Sequence, residues 1–256
     1  MNNELILNLI PAILLALASG MVGVFALMRR MSLAADAMSH IALPGLGLAF
    51  LYRINPLIGG AATLLLGALL IWKIEGKTKI PTETIIGVVF SLSLAVGSLI
   101  TPREDLIEAL FGGVSGFNLG IFLATSILAL VIIAAVLFLK NKFVLQMISP
   151  DLAIVAGLKN DFLNLYFLLI FATTVILGLN FLGALLMGSL IIIPAAASKN
   201  ISWNLNSMIL ISALAAAFSV GFGMLLSLKF GLALGPTVII LASIIFFVSL
   251  LFKKSQ

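Results

Sequence analysis

Long apolar runs, separated by short polar breaks, make up most of this 256-residue chain. A helix needs about 20 mainly apolar residues to cross the hydrocarbon core of a bilayer. The runs predict nine membrane-spanning helices, at 5–28, 33–51, 56–72, 84–100, 119–139, 164–179, 181–197, 206–228 and 236–252. The sixth and seventh runs are short and are separated only at Asn180, so eight spans, with these two merged, are the alternative. Since no period-two alternation indicates strands, we expect an all-α, polytopic transmembrane helical bundle that forms one domain over residues 1–256.

The composition excludes a water-soluble domain and makes the lipid bilayer the expected surroundings. Hydrophobic residues make up 62% of the chain and charged residues only 9%, whereas soluble domains hold about 25% charged residues. The absence of cysteine excludes disulfides, thiolate metal ligands and cysteine nucleophiles. The first residues lack the positive segment that begins a cleavable signal peptide, so we expect the first apolar run to be a span.

The positive residues predict how the chain is oriented, because cytoplasmic loops carry an excess of Lys and Arg. With nine spans and the N-terminus outside, 11 of the 14 Lys and Arg residues lie inside, and only Arg53, Arg103 and Lys229 lie outside. Merging the sixth and seventh spans would place Lys199 on the opposite side from the loop at about 140–163, so the charges favour nine spans. The net charge of +5 is explained by the cytoplasmic membrane edge, and no nucleic-acid partner is expected.

Asp36 and His40 are the most unusual polar residues of the predicted spans. His40 is the only histidine of the chain, and Asp36 is the only acid clearly within a span. A charge there costs about 2.5–3.5 kcal/mol on insertion scales, and the i, i+4 spacing places both side chains on one helix face. A carboxylate and an imidazole on one face can share a divalent cation. The alternative is a purely structural hydrogen bond between the two side chains.

Two ligands do not complete a metal site, since zinc takes about four and manganese often six. We expect the others to be backbone carbonyls, water or a second Asp36–His40 pair across a dimer axis. Pro44 and Gly45 follow one helical turn later. A proline in a span frees a backbone carbonyl, and such broken helices often line transport sites. We therefore expect a helix break near the pair, with a simple kink as the alternative.

The longest polar break, at about 140–163, is cytoplasmic by the charge rule. Within it Ser149 is suited to cap a short helix that has Pro150 at its first position and Asp151 in its first turn. Gly157 is suited to end that helix. The pattern predicts a short amphipathic helix at the cytoplasmic face. Docking onto another protein and an ordinary connection both fit this pattern.

Enzymatic motifs give little support to catalysis. Gly-Gly-Val-Ser-Gly at 112–116 is similar to the serine segment of an intramembrane protease, but such a serine needs a histidine base. The single histidine lies on another span, so we expect a glycine-rich re-entrant turn at 112–116 instead. The chain has no phosphate-binding loop and no His-Glu-x-x-His motif, so it is not expected to hydrolyse ATP by itself. A self-contained secondary metal transporter is a further alternative, although Asp36 alone offers little for ion coupling.

Residues 23–45 resemble the N-terminal signature of the ABC-type zinc/manganese/iron permease family. That signature has an Arg-Met-Ser-Leu turn, then Asp, then Ser-His three residues later, then Ala-Leu-Pro-Gly. Other matching segments occur in the same order at 110–112, 183–186, 193–196 and 235–237. Residues 151–157 are similar to the coupling motif of ABC importers, with Ala153 at one alanine-type position and Leu152 replacing the other.

The resemblance implies the permease subunit of an ATP-driven importer for zinc, manganese or iron in the cytoplasmic membrane of a prokaryote. It implies a homodimer, two cytoplasmic ATPase subunits and an extracellular or periplasmic metal-binding protein. It also implies that Asp36 and His40 lie on the ion path. By the same resemblance, the ATPase contact involves Ser149, Pro150, Asp151, Ala153 and Gly157. No permanently bound cofactor is expected, because the metal ion is the cargo.

Overall fold

The computed structural model describes residues 2–78, 80–101, 119–182 and 184–252, with side chains described from residue 9 onward except over 180–186. All regular structure within these ranges is helical, which confirms the all-α bundle. The helices in chain order are α1 (Asn2–Met28), α2 (Ala34–His40), α3 (Leu43–Tyr52), α4 (Pro56–Glu75), α5 (Thr82–Ile100), α6 (Leu119–Ile148), α7 (Pro150–Val155), α8 (Asn160–Leu182), α9 (Ala184–Ile201), α10 (Leu205–Phe230) and α11 (Leu234–Leu251).

Eight segments of the described chain are long and apolar enough to cross a membrane, and Met187–Ile201 is a further, shorter apolar helix. The sixth and seventh predicted spans correspond to α8 and α9. The side chain of Met187 packs directly on Gly178. On one continuous helix these residues would be about 13 Å apart, beyond the reach of a methionine. The chain therefore reverses between α8 and α9, and the two helices do not merge into one span.

Several helix ends meet at one end of the bundle. Arg29, which follows α1, donates hydrogen bonds to Gln146 in α6 and to Asn164 in α8. Lys140 of α6 donates to Asn206 at the start of α10, at 2.7 Å. These contacts gather the loops that the charge rule assigns to the cytoplasm, which is the arrangement expected of nine crossings. That this end faces the cytoplasm stays a prediction.

α1 forms the centre of the bundle and packs against α6, α9 and α10. Its crossing with α9 is very close, because a Cβ atom on Gly23 would overlap the carbonyl group of Ile191. Its crossing with α10 includes a hydrogen bond of 2.6 Å from the Ser212 hydroxyl to the carbonyl oxygen of Gly20. Small residues at such crossings are typical of membrane helices, since lipid provides no hydrophobic drive for helices to associate.

Candidate metal site and coupling helix

The predicted span over 33–51 consists of two short helices. α2 ends at His40 and α3 begins at Leu43, with Pro44 in the first turn of α3. Pro44 has no N–H group to donate to the carbonyl oxygen of His40, four residues earlier, so one helical hydrogen bond is lost where the helix breaks. The break lies at Ile41–Ala42, directly after the candidate ligand His40.

Gly45 has a different position from the one expected of a helix-weakening residue. It lies within α3, buried against Gly59 of α4, and a Cβ atom on either glycine would overlap the carbonyl group of the other. The hydroxyl of Thr63 lies 3.2 Å from the carbonyl oxygen of Gly59 in its own helix and 3.3 Å from that of Ala42 across the same crossing. Gly45 therefore allows α3 to pack on α4 beside the break.

A tight turn sets the direction of α2 relative to α1. Arg30 adopts the left-handed conformation, with a φ of 61°. The amide of Arg30 donates to the carbonyl of Leu27, and that of Met31 donates to the carbonyl of Ala26. This pattern is a Schellman motif, in which glycine is the usual residue at the left-handed position. α2 begins four residues after Arg30, so little chain separates the candidate ligands from the end of α1.

The two candidate ligands lie on one helix face, as their spacing predicts. The distance between Asp36 Oδ1 and His40 Nε2 is 3.9 Å, too long for a hydrogen bond. The Asp36 side chain is 58% exposed and that of His40 is 13% exposed. His40 Nδ1 is buried with no hydrogen-bond partner in the described part of the chain, and the centres of the imidazole and Phe90 rings lie 5.6 Å apart. This geometry leaves both side chains available to a shared cation.

The backbone of Asp36 rests on α9. A Cβ atom on Gly188 would lie 2.6 Å from the amide nitrogen of Asp36 and 2.7 Å from its Cα. The hydroxyl of Ser39 donates to the carbonyl oxygen of Asp36 at 2.7 Å. The peptide backbone at Asp36 is therefore held in place, while its carboxylate remains accessible.

The carboxylate of Asp36 faces an open groove of about 530 Å³ between α2 and the first turns of α5. The groove is lined by Leu33, Ala34, Asp36, Ala37, Glu83, Thr84, Ile86, Gly87 and Phe90. Glu83 and Thr84 are the second and third residues of α5, so Asp36 lies toward the end of the bundle that contains Arg29. Sequence analysis did not single out Glu83, because an acid at the edge of a span is ordinary.

The described part of the chain does not provide a complete set of metal ligands. In the described ranges, no group of three or more His, Cys, Asp or Glu side chains is placed to hold a metal ion. Asp36 and His40 are thus two donors without a third from the same part of the chain. The segment at 112–116 and the family-like segment at 110–112 lie outside the described residues.

The predicted helix in the 140–163 loop is present as α7. The Ser149 hydroxyl accepts a hydrogen bond from the amide of Leu152, Pro150 is in the first turn, and Asp151 is exposed there. Gly157 adopts a φ of 78° and ends the helix. The side chain of Ala153, within α7, is fully buried. Three apolar side chains of α7 are exposed, those of Leu152, Ile154 and Val155.

Comparison with known proteins gives a consistent result over nearly the whole chain. A model described as the ABC 3 transport family matches residues 1–253. The manganese transport system membrane protein MntC of Listeria monocytogenes is 32% identical over 252 residues, covering 97% of this chain and 90% of that protein. The high-affinity zinc uptake system membrane protein ZnuB of Haemophilus influenzae is 30% identical over 254 residues, covering 97% of each.

A solved structure shares the fold. PsaBC from Streptococcus pneumoniae, in complex with Fab, superposes with a TM-score of 0.80 at 27% identity. The match covers 94% of this chain and 88% of that one. The arrangement of helices around the Asp36–His40 pair is therefore that of a known membrane protein architecture.

Proposed function

Because the chain belongs to the ABC 3 transport family, we propose that it is the permease subunit of an importer that moves a divalent metal ion across the cytoplasmic membrane of a prokaryote. The observation that carries this proposal is the Asp36–His40 pair. Its oxygen and nitrogen donors lie 3.9 Å apart beside a helix break, and Asp36 lines an open groove. Family membership gives no support to the protease or secondary-transporter alternatives.

The groove supports a homodimer as the working unit. Asp36 faces outward from a single chain, and a charged group exposed to lipid is unfavourable. A second copy, related by a two-fold axis, would cover the groove and bring a second pair toward the first. Two pairs give up to four side-chain ligands. Weak or incomplete ligation suits a transport site, because an ion that is bound too well does not leave.

The donors are compatible with more than one metal. Imidazole suits zinc and iron, and carboxylate suits manganese. The two relatives described above are named for manganese and for zinc. We therefore assign the cargo as a divalent transition-metal ion, with zinc, manganese and iron as the ions to compare.

α7 supports a separate ATPase as the source of energy. Its exposed apolar side chains lie at the end of the bundle that contains Arg29, where they are not expected to contact lipid. An exposed apolar patch of this kind indicates a protein partner. The chain has no phosphate-binding loop of its own. We assign α7 as the contact with cytoplasmic ATPase subunits, and the metal is delivered by an external metal-binding protein.

Metal uptake by the reconstituted complex tests this function. The permease, the ATPase and the binding protein are placed in liposomes, and uptake of zinc, manganese and iron is compared. Asp36→Asn removes a charge and His40→Ala removes a nitrogen ligand, so each is expected to abolish uptake while leaving assembly intact. Asp161→Asn, which removes an exposed carboxylate outside the groove, is the matched control. Wild-type uptake by both site variants would show that the pair is structural.

A further inference from the structure

A partly buried polar cluster joins the loops at the proposed cytoplasmic end; we name it the Arg29 cluster, formed by Arg29, Glu75, Gln146, Asn160 and Asn164. The Arg29 guanidinium donates to Asn164 Oδ1 at 2.8 Å and to Gln146 Oε1 at 2.9 Å. Gln146 Nε2 donates to Asn164 Oδ1 and to the carbonyl oxygen of Asn160, both at 2.9 Å. Asn164 Nδ2 lies 3.3 Å from Glu75 Oε1.

Two aromatic rings pack against the Arg29 guanidinium. Its central carbon lies 4.3 Å from the ring centre of Phe167 and 5.6 Å from that of Phe143. Burial lowers the pKa of Arg29 to about 10, and the nearby charge of Glu75 opposes this shift. Arg29 is therefore still a cation at neutral pH. The N–H donors of a guanidinium form a planar fork. When this fork is stacked on an aromatic ring, it holds its neighbours in a defined geometry, unlike a mobile surface charge.

The cluster includes both ends of the segment that contains α7. Gln146 lies in the last turn of α6, just before α7, and Asn160 begins α8, just after it. Asn160 Nδ2 also donates to the carbonyl oxygen of Pro150, the first residue of α7, at 3.1 Å. A displacement of α7 therefore acts directly on the two residues that position the Arg29 fork.

The same arginine is joined to the candidate metal ligands by a short turn. Arg29 is followed at once by the left-handed Arg30 and then by Met31, which is buried. The amide of Ala34, the first residue of α2, donates to the carbonyl of Met31 at 3.1 Å. Asp36 lies in the first turn of α2. Few residues therefore separate Arg29 from Asp36 along the chain.

Three polar atoms of the cluster have no hydrogen-bond partner within the described ranges of the chain. They are Arg29 Nε, Glu75 Oε2 and Asn160 Oδ1, and all three are buried. A buried donor or acceptor without a partner is unfavourable. These unused groups, one donor and two acceptors, are free to form hydrogen bonds in a second arrangement of the cluster.

We propose that Arg29 is a positioning residue that couples movement of α7 to α2, and hence to the Asp36–His40 pair. The inference rests on the proposed function, since it takes α7 as the ATPase contact and α2 as the metal-bearing helix. When the ATPase moves α7, Gln146 and Asn160 shift with it. The Arg29 guanidinium, which is hydrogen-bonded to Gln146, shifts as well. The turn at Arg30 then transmits this displacement to α2. Coupling through a packed network with two arrangements is the physical form that such a link takes.

The test compares metal moved per ATP hydrolysed in the reconstituted complex. Arg29→Met keeps the length and stacking of the side chain but removes the fork. Gln146→Met breaks the link from the α7 side without changing Arg29. Each is expected to hydrolyse ATP but to transport about tenfold less metal per ATP, within the usual range of coupling energies. Arg29→Lys keeps the charge without the fork and is expected to restore the ratio only in part.

Lys73 provides the control, because it is an exposed cation in the last turn of α4 and belongs neither to the Arg29 cluster nor to the turn that joins it to α2. Lys73→Met loses the same charge at the same end of the bundle, so its ratio should equal that of the wild type. An unchanged ratio in both Arg29→Met and Gln146→Met overturns this inference. A wild-type complex that transports no divalent metal contradicts the proposed function instead.

Discussion

At the scale of the residue, the position of Asp36 depends on Gly188. The two residues are far apart in the chain, yet the backbone of one lies against the Cα of the other. Asp36 and His40 were recognisable from the sequence because polar groups are rare in spans. Gly188 was not, since glycine is common in membrane helices and its neighbour across the crossing is set by tertiary packing.

Gly188→Ala is expected to displace α2 from α9. The added methyl group would lie 2.6 Å from the Asp36 amide nitrogen, and a backbone atom cannot move aside as a flexible side chain can. Overpacking of this kind costs about 1–3 kcal/mol. We expect a lower unfolding temperature in detergent and reduced metal uptake.

Gly221→Ala is the control for this substitution, because only Ile13 Cδ1 is near the added methyl group, at 3.9 Å. It should change neither stability nor uptake. If Gly188→Ala behaves as Gly221→Ala does, the close approach at Asp36 is not needed for transport.

At the scale of the element, α7 follows from local sequence alone. Ser149, Pro150 and Gly157 each act within a few residues of their own position, so their roles were predictable and the structure confirms the helix that they define. The span over 33–51 was predictable in part. Pro44 predicted a helix break near the pair, and the structure places that break at Ile41–Ala42, but the packing of α3 on α4 and of α2 on α9 could not be predicted from local sequence. The Arg29 cluster was not predicted either, because its members come from four distant helix ends.

The double variant Asp151→Asn, Gly157→Ala is expected to weaken assembly with the ATPase or to uncouple it. Asp151 is exposed in the first turn of α7, and Gly157 needs a positive φ that costs an alanine about 1 kcal/mol or more. Co-purification with the ATPase and the transport ratio measure the effect.

Gly231→Ala places the same strain at the opposite end of the bundle, since Gly231 has a φ of 65° at the end of α10. It should assemble normally. Assembly and transport unchanged in the Asp151–Gly157 double variant would argue against α7 as the ATPase contact.

At the scale of the whole molecule, our proposal assigns three features of the described chain to contacts with other chains. They are the incomplete metal site, the open groove and the exposed apolar side chains of α7. The composition predicted a membrane protein, and the resemblance to the family predicted its partners. Neither predicted the groove, because a groove depends on how α2 and α5 diverge in space.

The permease purified alone is expected to show no ATP hydrolysis above the background of the assay. The chain has no phosphate-binding loop, so nothing in it is suited to hold the nucleotide phosphates. Phosphate release from the purified permease, with and without added ATPase subunits, measures this. Hydrolysis by the lone permease would require a different assignment.

Cross-linking of single cysteines tests whether a second copy covers the groove. The natural chain contains no cysteine, so no background has to be removed. Thr84→Cys lies on the groove and is exposed, and it should give a covalent dimer in membranes under oxidising conditions. Phe138→Cys on α6 is 82% exposed but outside the groove and should remain monomeric. The reverse result would place the dimer interface on α6.

His40 also gives this protein a built-in spectroscopic label. Since it is the only histidine of the chain, isotope-labelled histidine introduces a single imidazole signal that needs no assignment. Its Nδ1 has no hydrogen-bond partner among the residues that the structure describes, so the nitrogen chemical shift responds to whatever approaches the ring. A titration with diamagnetic zinc would therefore report the occupancy of one chosen position in an intact membrane protein, with no chemical modification.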